Sequence, residues 1–263
     1  MIERRSRSPL IRLGIFRIRF VTVGDLSFLL TSSAMFGAYF LGTLYLQVVL
    51  EYRALMVGLA LLPLAAGILA GVTAAEPLVR RLGLRTVGVG GLAVGIAGTA
   101  LLTRISVDAA YVWPFLPGLF LLSVGIGLSL VTLTVLATSG VPAEQAGLAS
   151  GLYTAVGYLG GALGLAILST IAASRTQSIL ADTPDAQLPA LVSGYRAAYL
   201  AVAILLGAAA ALLLAFLQRR HLAALELSPP SNSRRPATTD DPLSTNGERR
   251  PKARRGTTGG VWP

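Results

Sequence analysis

Ser32, Phe36, Tyr39, Thr43 and Gln47 recur at intervals of four, three, four and four residues, which sets them along one side of a helix. Hydroxyl and amide groups interleaved with aromatic rings can perform recognition chemistry. A ring face attracts an organic cation, and a hydroxyl or amide orients a polar group beside it. The alternative use of the same residues is to bond neighbouring helices. Ser129 and Thr132 share a face next to Gly125-Ile126-Gly127, and Ser150, Thr154 and Tyr158 align at i, i+4 and i+8. Hydroxyls of this kind also bond back to carbonyls of their own helix. Reactive chemistry finds little material. The chain has no Cys, which excludes disulfides, thiolate metal sites and Cys nucleophiles. Its one His, His221, stands beside Arg219 and Arg220 and reads as an interfacial residue. No Walker sequence, metal-ligating cluster or nucleophile–base arrangement occurs, so no catalytic residue, metal or cofactor is expected, and the chain does not read as an enzyme.

The elements that must position these residues are long and apolar. Leu26–Leu50, Ala54–Ala75, Thr86–Thr103, Ala109–Pro142, Gln145–Ser174 and Ala197–Gln218 contain no Asp, Glu, Lys, Arg or His. A helix rising about 1.5 Å per residue needs roughly 20 apolar residues to cross a hydrocarbon core about 30 Å thick. A helix in a water-soluble protein would carry charges on its wet face every few residues. The spacing therefore predicts an all-α membrane protein with six spans, at about 26–50, 54–75, 86–103, 112–139, 148–173 and 197–218. The connections are expected to be short, apart from Ser174–Arg196. Pro63 should bend the second span by freeing the carbonyl of Leu59. Small residues four apart, such as Gly67/Gly71, Gly91/Gly95, Gly147/Gly151, Gly157/Gly161 and Gly160/Gly164, predict close helix packing. The fifth span, with Gly147, Gly151, Gly157, Gly160, Gly161 and Gly164, is richest in them.

The net charge of +10 is distributed by side. With a cytoplasmic N-terminus, that side holds Arg4, Arg5, Arg7, Arg12, Arg17, Arg19, Arg80, Arg81, Arg85 and all nine basic residues after the sixth span. The other side holds Arg53, Arg104, Arg175 and Arg196. This is the positive-inside bias with both termini cytoplasmic, and it accounts for the basic balance without a nucleic-acid partner. Residues 1–25 read as a basic arm, either lying at the membrane interface or irregular. Residues 219–263, rich in Pro, Ser, Thr and Arg, lack apolar periodicity and read as a disordered cytoplasmic tail. Of the acids at the ends of spans, Asp25 reads as a helix-end partner and Glu51 as a solvated loop carboxylate. Glu76 is the acid to consider for proton coupling, against a structural role as partner of Arg80 or Arg81.

Several segments carry a family resemblance. YLQVVLEYRALMVGLALLPLAAG (Tyr45–Gly67), PLVRRLGLRTVGVGGLAVG (Pro77–Gly95), GVPAEQAGLASGL (Gly140–Leu152) and GGALGLAIL (Gly160–Leu168) resemble the C-terminal half of fourteen-helix drug:proton antiporters of the major facilitator superfamily. ERRSRSPLIRLGIFRIRF resembles the segment leading into that half. The family's loop pattern G-x-x-x-D-R-x-G-R-K stands here as Glu76-Pro-Leu-Val-Arg80-Arg81-Leu-Gly83-Leu-Arg85, with Arg80 at the Asp place and Glu76 at the leading Gly place. Thr154, Gly157 and Tyr158 occupy the places of the Asn, Arg and Gln that relatives carry before the GG pair.

The resemblance implies a six-transmembrane-helix bundle equivalent to one half of such a transporter. It places the first and fourth spans beside a central cavity and the second and fifth at the interface between halves. Ser32, Phe36, Tyr39, Thr43, Gln47, Ser129 and Thr132 then become substrate-cavity candidates. Ser150, Thr154 and Tyr158 become half-interface candidates, and Glu76, Arg80, Arg81, Gly83 and Arg85 form the cytoplasmic loop motif. The implied function is secondary transport as proton-coupled multidrug efflux in a bacterial cytoplasmic membrane. The implied partners are lipid, an amphipathic small molecule, protons, and a missing N-terminal half or a second copy. Met1 opens inside what resembles continuous family sequence, so a truncated or split transporter is expected, against a half-transporter that dimerises. The rival from another class is a membrane fragment or assembly partner that moves no solute.

Overall fold

A backbone in hydrocarbon must satisfy its own hydrogen bonds, and charge-free segments of this length do so as helices. The computed structural model of the chain describes residues 19–107, 111–139, 141 and 145–216. Six helices in it are long and apolar enough to cross a membrane: Val21–Val49, Ala54–Leu82, Leu84–Leu102, Tyr111–Thr138, Ala146–Asp182 and Gln187–Phe216, the first to sixth spans below. The protein is an all-α membrane bundle, with no strand among the described residues.

All the spans but the fourth extend beyond their charge-free stretches at one end or both. The first helix already begins at Arg19, so the end of the basic arm belongs to it. The rest of the arm and the predicted tail lie outside the described residues. The fifth span carries Arg175 and Asp182, and the sixth carries Arg196. The connection predicted over Ser174–Arg196 shrinks to a few residues around Thr183–Ala186. At about 1.5 Å per residue the 37 residues of the fifth helix reach about 55 Å, so its charged end can leave the hydrocarbon while remaining helical.

Pro63, expected to bend the second span, falls at a one-residue interruption of its helix. A short helix, Ala54–Ala60, ends at Leu61, and Leu62–Leu82 restarts with Pro63 in its first turn, where a missing N–H costs least. The second helix then continues past Pro77 to Leu82 and turns into the third through Gly83 alone. Gly83 has φ +83°, a conformation that strains residues with a Cβ.

The packing is not sequential. The second span packs on the fourth, the fourth on the first and the first on the fifth, forming one row; the third and sixth spans lie behind the central pair. Spans that cross in the same direction run parallel. Gly157 meets Phe28, Gly160 meets Leu29 and Gly164 meets Ser33, so the fifth span follows the first. Gly24 lies against Ala137 and Gly42 against Phe115, so the fourth opposes the first. The core follows the row: Leu41, Tyr45, Phe115, Leu119, Leu133 and Tyr199 are fully buried where the first, fourth and sixth spans meet.

Candidate functional site

The first span is enclosed by the fourth, fifth and sixth, which leaves one side open. Phe36 and Tyr39 lie on that side, 41% and 47% exposed, while Leu41 on another face is 0% exposed. Gln47 is exposed and Thr43 half-buried. The Thr43 hydroxyl donates to the Tyr39 carbonyl at 2.9 Å, so it is satisfied within its own helix. Ser32 is buried.

Ser32 and Phe36 help form a cleft of about 280 Å³ whose other wall is the fifth span. There Thr154, Gly157 and Tyr158 face them, with Phe28, Met35, Leu130 and Tyr153 completing the lining. Residues assigned separately to a cavity wall and a half-interface therefore share one site. The Phe28 and Tyr153 rings stack at 3.9 Å between centroids and 12° between planes. A hydrogen bond of 3.1 Å joins the Tyr153 hydroxyl to Thr134 Oγ1. Sequence reasoning missed Phe28 and Tyr153. The signal for Phe28 was available, because the four-residue spacing of Ser32 and Phe36 continues one step towards the N-terminus. Tyr158 is 71% exposed, and the Ser150 and Thr154 hydroxyls donate to the carbonyls of Gly147 and Ser150, each at 3.0 Å.

Ser129 and Thr132 do not line the cleft. Both are fully buried, and Ser129 Oγ lies 2.8 Å from the Gly125 carbonyl oxygen and 3.3 Å from that of Gly88. Thr132 Oγ1 donates to the Leu84 carbonyl at 3.3 Å. These hydroxyls fasten the fourth span to the third, where Gly88 and Gly91 leave room for them; a Cβ on Gly91 would stand 2.7 Å from Ser129 Oγ.

The glycines of the fifth span divide into three groups. Gly157 and Gly161 receive the rings of Phe28 and Phe36, while Gly160 and Gly164 let the backbones of Leu29 and Ser33 approach. A Cβ on Gly160 would stand 2.5 Å from the Leu29 carbonyl oxygen, a distance that no side-chain motion relieves. Gly147 and Gly151 have no described residue within 4 Å of the place a Cβ would take, so neither packs against a described helix. Gly67, Gly71 and Gly91 sit against the fourth span, and Gly95 lies between Gly125 of the fourth and Leu206 of the sixth.

The loop motif is largely helical. Glu76, Arg80 and Arg81 occupy the end of the second span, and Arg85 the first turn of the third. Arg80 Nη2 donates to Glu76 Oε1 at 2.7 Å, with both side chains largely exposed. This is the partnership with Arg80 expected as the structural role of Glu76, and such an exposed helix pair contributes about 0.3–0.5 kcal/mol. A larger cleft of about 590 Å³ between Arg85, Val89 and Leu214 lies away from the aromatic stripe. No group of acids or His that could hold a metal occurs among the described residues.

Six helices long and apolar enough to span a membrane, packed in this row-and-backing arrangement, define a multi-pass membrane protein of the all-α class. Comparison with known proteins places it more closely. Residues 3–165 match the family model described as the Major Facilitator Superfamily, and the chain belongs to that family. It is 36% identical over 218 residues to a puromycin resistance protein of Streptomyces alboniger, covering 78% of this chain and 42% of that one. It is 34% identical over 214 residues to a cephamycin export protein of Amycolatopsis lactamdurans, covering 81% and 42%. A multidrug resistance protein of Mycobacterium tuberculosis is 30% identical over 188 residues, covering 72% and 35%. The chain thus spans about two-fifths of the length of the first two curated relatives.

Proposed function

We propose that this chain works as the C-terminal six-helix half of a proton-coupled drug exporter in a bacterial cytoplasmic membrane, with both termini cytoplasmic. The observation that carries the reading is the open side of the first span. Phe36 and Tyr39 present rings there although the helix is otherwise enclosed, and Tyr158 extends the aromatic surface onto the fifth span. Aromatic faces set among hydroxyls suit an amphipathic substrate, cationic or neutral. The exposed row formed by the second, fourth, first and fifth spans is the surface that the other half, or a second copy, covers. Transporters of this kind alternate access by rocking one bundle against another around a shared site, and this bundle supplies one of the two.

Proteoliposomes with an imposed proton gradient test the proposal. The purified chain alone should show no gradient-dependent dye export. Co-reconstitution with the amino-terminal part of a curated relative should restore export above empty liposomes. Export by the chain alone would establish self-sufficient transport through a second copy. Failure of both preparations, with the bundle still folded, would favour the rival reading of a membrane assembly partner that moves no solute.

A further inference from the structure

Asp25 lies inside the first span, beyond the first turn of the helix that Arg19 opens. Only 5% of its surface is exposed, and neither carboxylate oxygen has a hydrogen-bond partner. The helix-end role expected from sequence therefore does not hold, because amides at this depth are bonded within the helix. Among the described residues, the elements packed around Asp25 offer no cation to replace that role. Gly24 presses on the backbone of Ala137 in the fourth span, which carries no charged residue from Tyr111 to Thr138. The fifth span places Arg175 and Asp182 towards the far end of the bundle. The sixth places Arg196 there too, donating to the Ile105 carbonyl at 2.6 Å. Among the described residues the one ion pair is Glu76–Arg80. Among the described residues, the titratable group within electrostatic reach of Asp25 is the Tyr153 phenol, which carries no positive charge.

An isolated ionised carboxylate in an apolar interior costs far more than the neutral acid, and such a group stays neutral by binding a proton. Acids inside membrane spans without a structural partner are functional sites by default. We infer that Asp25 is a proton-binding site, its carboxyl holding the proton while its surroundings in the folded chain stay dry. Asp25, Phe28 and Ser32 follow at intervals of three and four residues, so the carboxyl sits one turn from the cleft that Phe28 and Ser32 line. The proton is released when water reaches that side of the first and fifth spans. Assigning this proton as the coupling ion rests on the export reading; the protonation of Asp25 does not.

Infrared spectra of the whole chain in lipid vesicles near neutral pH test the site directly. The expected result is a protonated-carboxyl C=O band that is lost, by about one carboxyl equivalent per chain, in Asp25→Asn with an unchanged amide spectrum. Should that variant fail to fold, the native chain answers through dicyclohexylcarbodiimide. The reagent's central carbon bonds a carboxyl oxygen as the acid proton passes to its nitrogen, and acyl transfer to nitrogen leaves a stable N-acylurea. Peptide mapping should find that adduct on Asp25 near neutral pH and lose it in alkali. A folded chain with no protonated-carboxyl band near neutral pH overturns the site. A band assigned to Asp25 in a chain that exports nothing with its complement removes the export reading and leaves the proton site standing.

Discussion

Hydroxyls in this chain show how little one helix says about where a side chain bonds. Ser33 was not singled out by spacing, yet its Oγ lies 2.8 Å from the Leu29 carbonyl oxygen and 2.7 Å from that of Gly160 on the fifth span. Ser129 and Thr132 were singled out and are consumed by the third span. Periodicity identifies a shared face, but whether that face meets a cavity or another backbone depends on a partner distant in sequence. The aromatic residues of the first span show the same limit: Phe36 packs its ring against Gly161 of the fifth span, while Tyr39 stays exposed. Because the chain lacks Cys, single-Cys substitutions can map the stripe without removing native thiols. In the assembly with a complementing half, a membrane-impermeant thiol reagent should label positions 36, 39 and 47 strongly and position 41 hardly at all. Uniformly low labelling would convert the stripe to a packing surface and remove the substrate-site assignment.

Between helices, the same four-residue glycine spacing has two outcomes. Gly160 and Gly164 abut the first span, while Gly147 and Gly151, equally spaced on the same helix, face none of the described residues. Local sequence cannot tell these apart, since both pairs satisfy the pattern and only one finds a partner. Gly164→Val should destabilise the bundle by about 1–3 kcal/mol, the cost of overpacking against backbone that cannot yield. Gly151→Ala should be neutral, or stabilising by up to about 1 kcal/mol through helix propensity. Unfolding in mixed micelles, followed by circular dichroism, compares them; equal effects would mean that the contact between the first and fifth spans does not depend on glycine. Helix lengths were underread for a related reason. Counting charge-free residues stops at Arg175 and Arg196, whereas the backbone continues helical until Pro184 and its neighbours break it.

For the whole molecule, six spans and their alternating directions were legible from charge-free length, but the order of the row was not. That order pairs the first span with the fourth, fifth and sixth, and no periodicity within a span encodes its neighbour. Reporter fusions at Asp182 and after Leu227 should report opposite sides of the membrane, with the second cytoplasmic; matching sides would remove the six-crossing topology. The row also has a bearing on biosynthesis. The hydrogen bond from Ser33 to Gly160 closes a loop of 127 residues. Made from its N-terminus, the first span enters the bilayer with Asp25 and Ser33 still lacking the fifth helix, and the second and third spans, which follow it, do not supply that contact. The nascent chain must therefore hold an acid-bearing helix in lipid or at the insertion machinery until the fifth span emerges, and the order of synthesis makes that helix the early point of vulnerability.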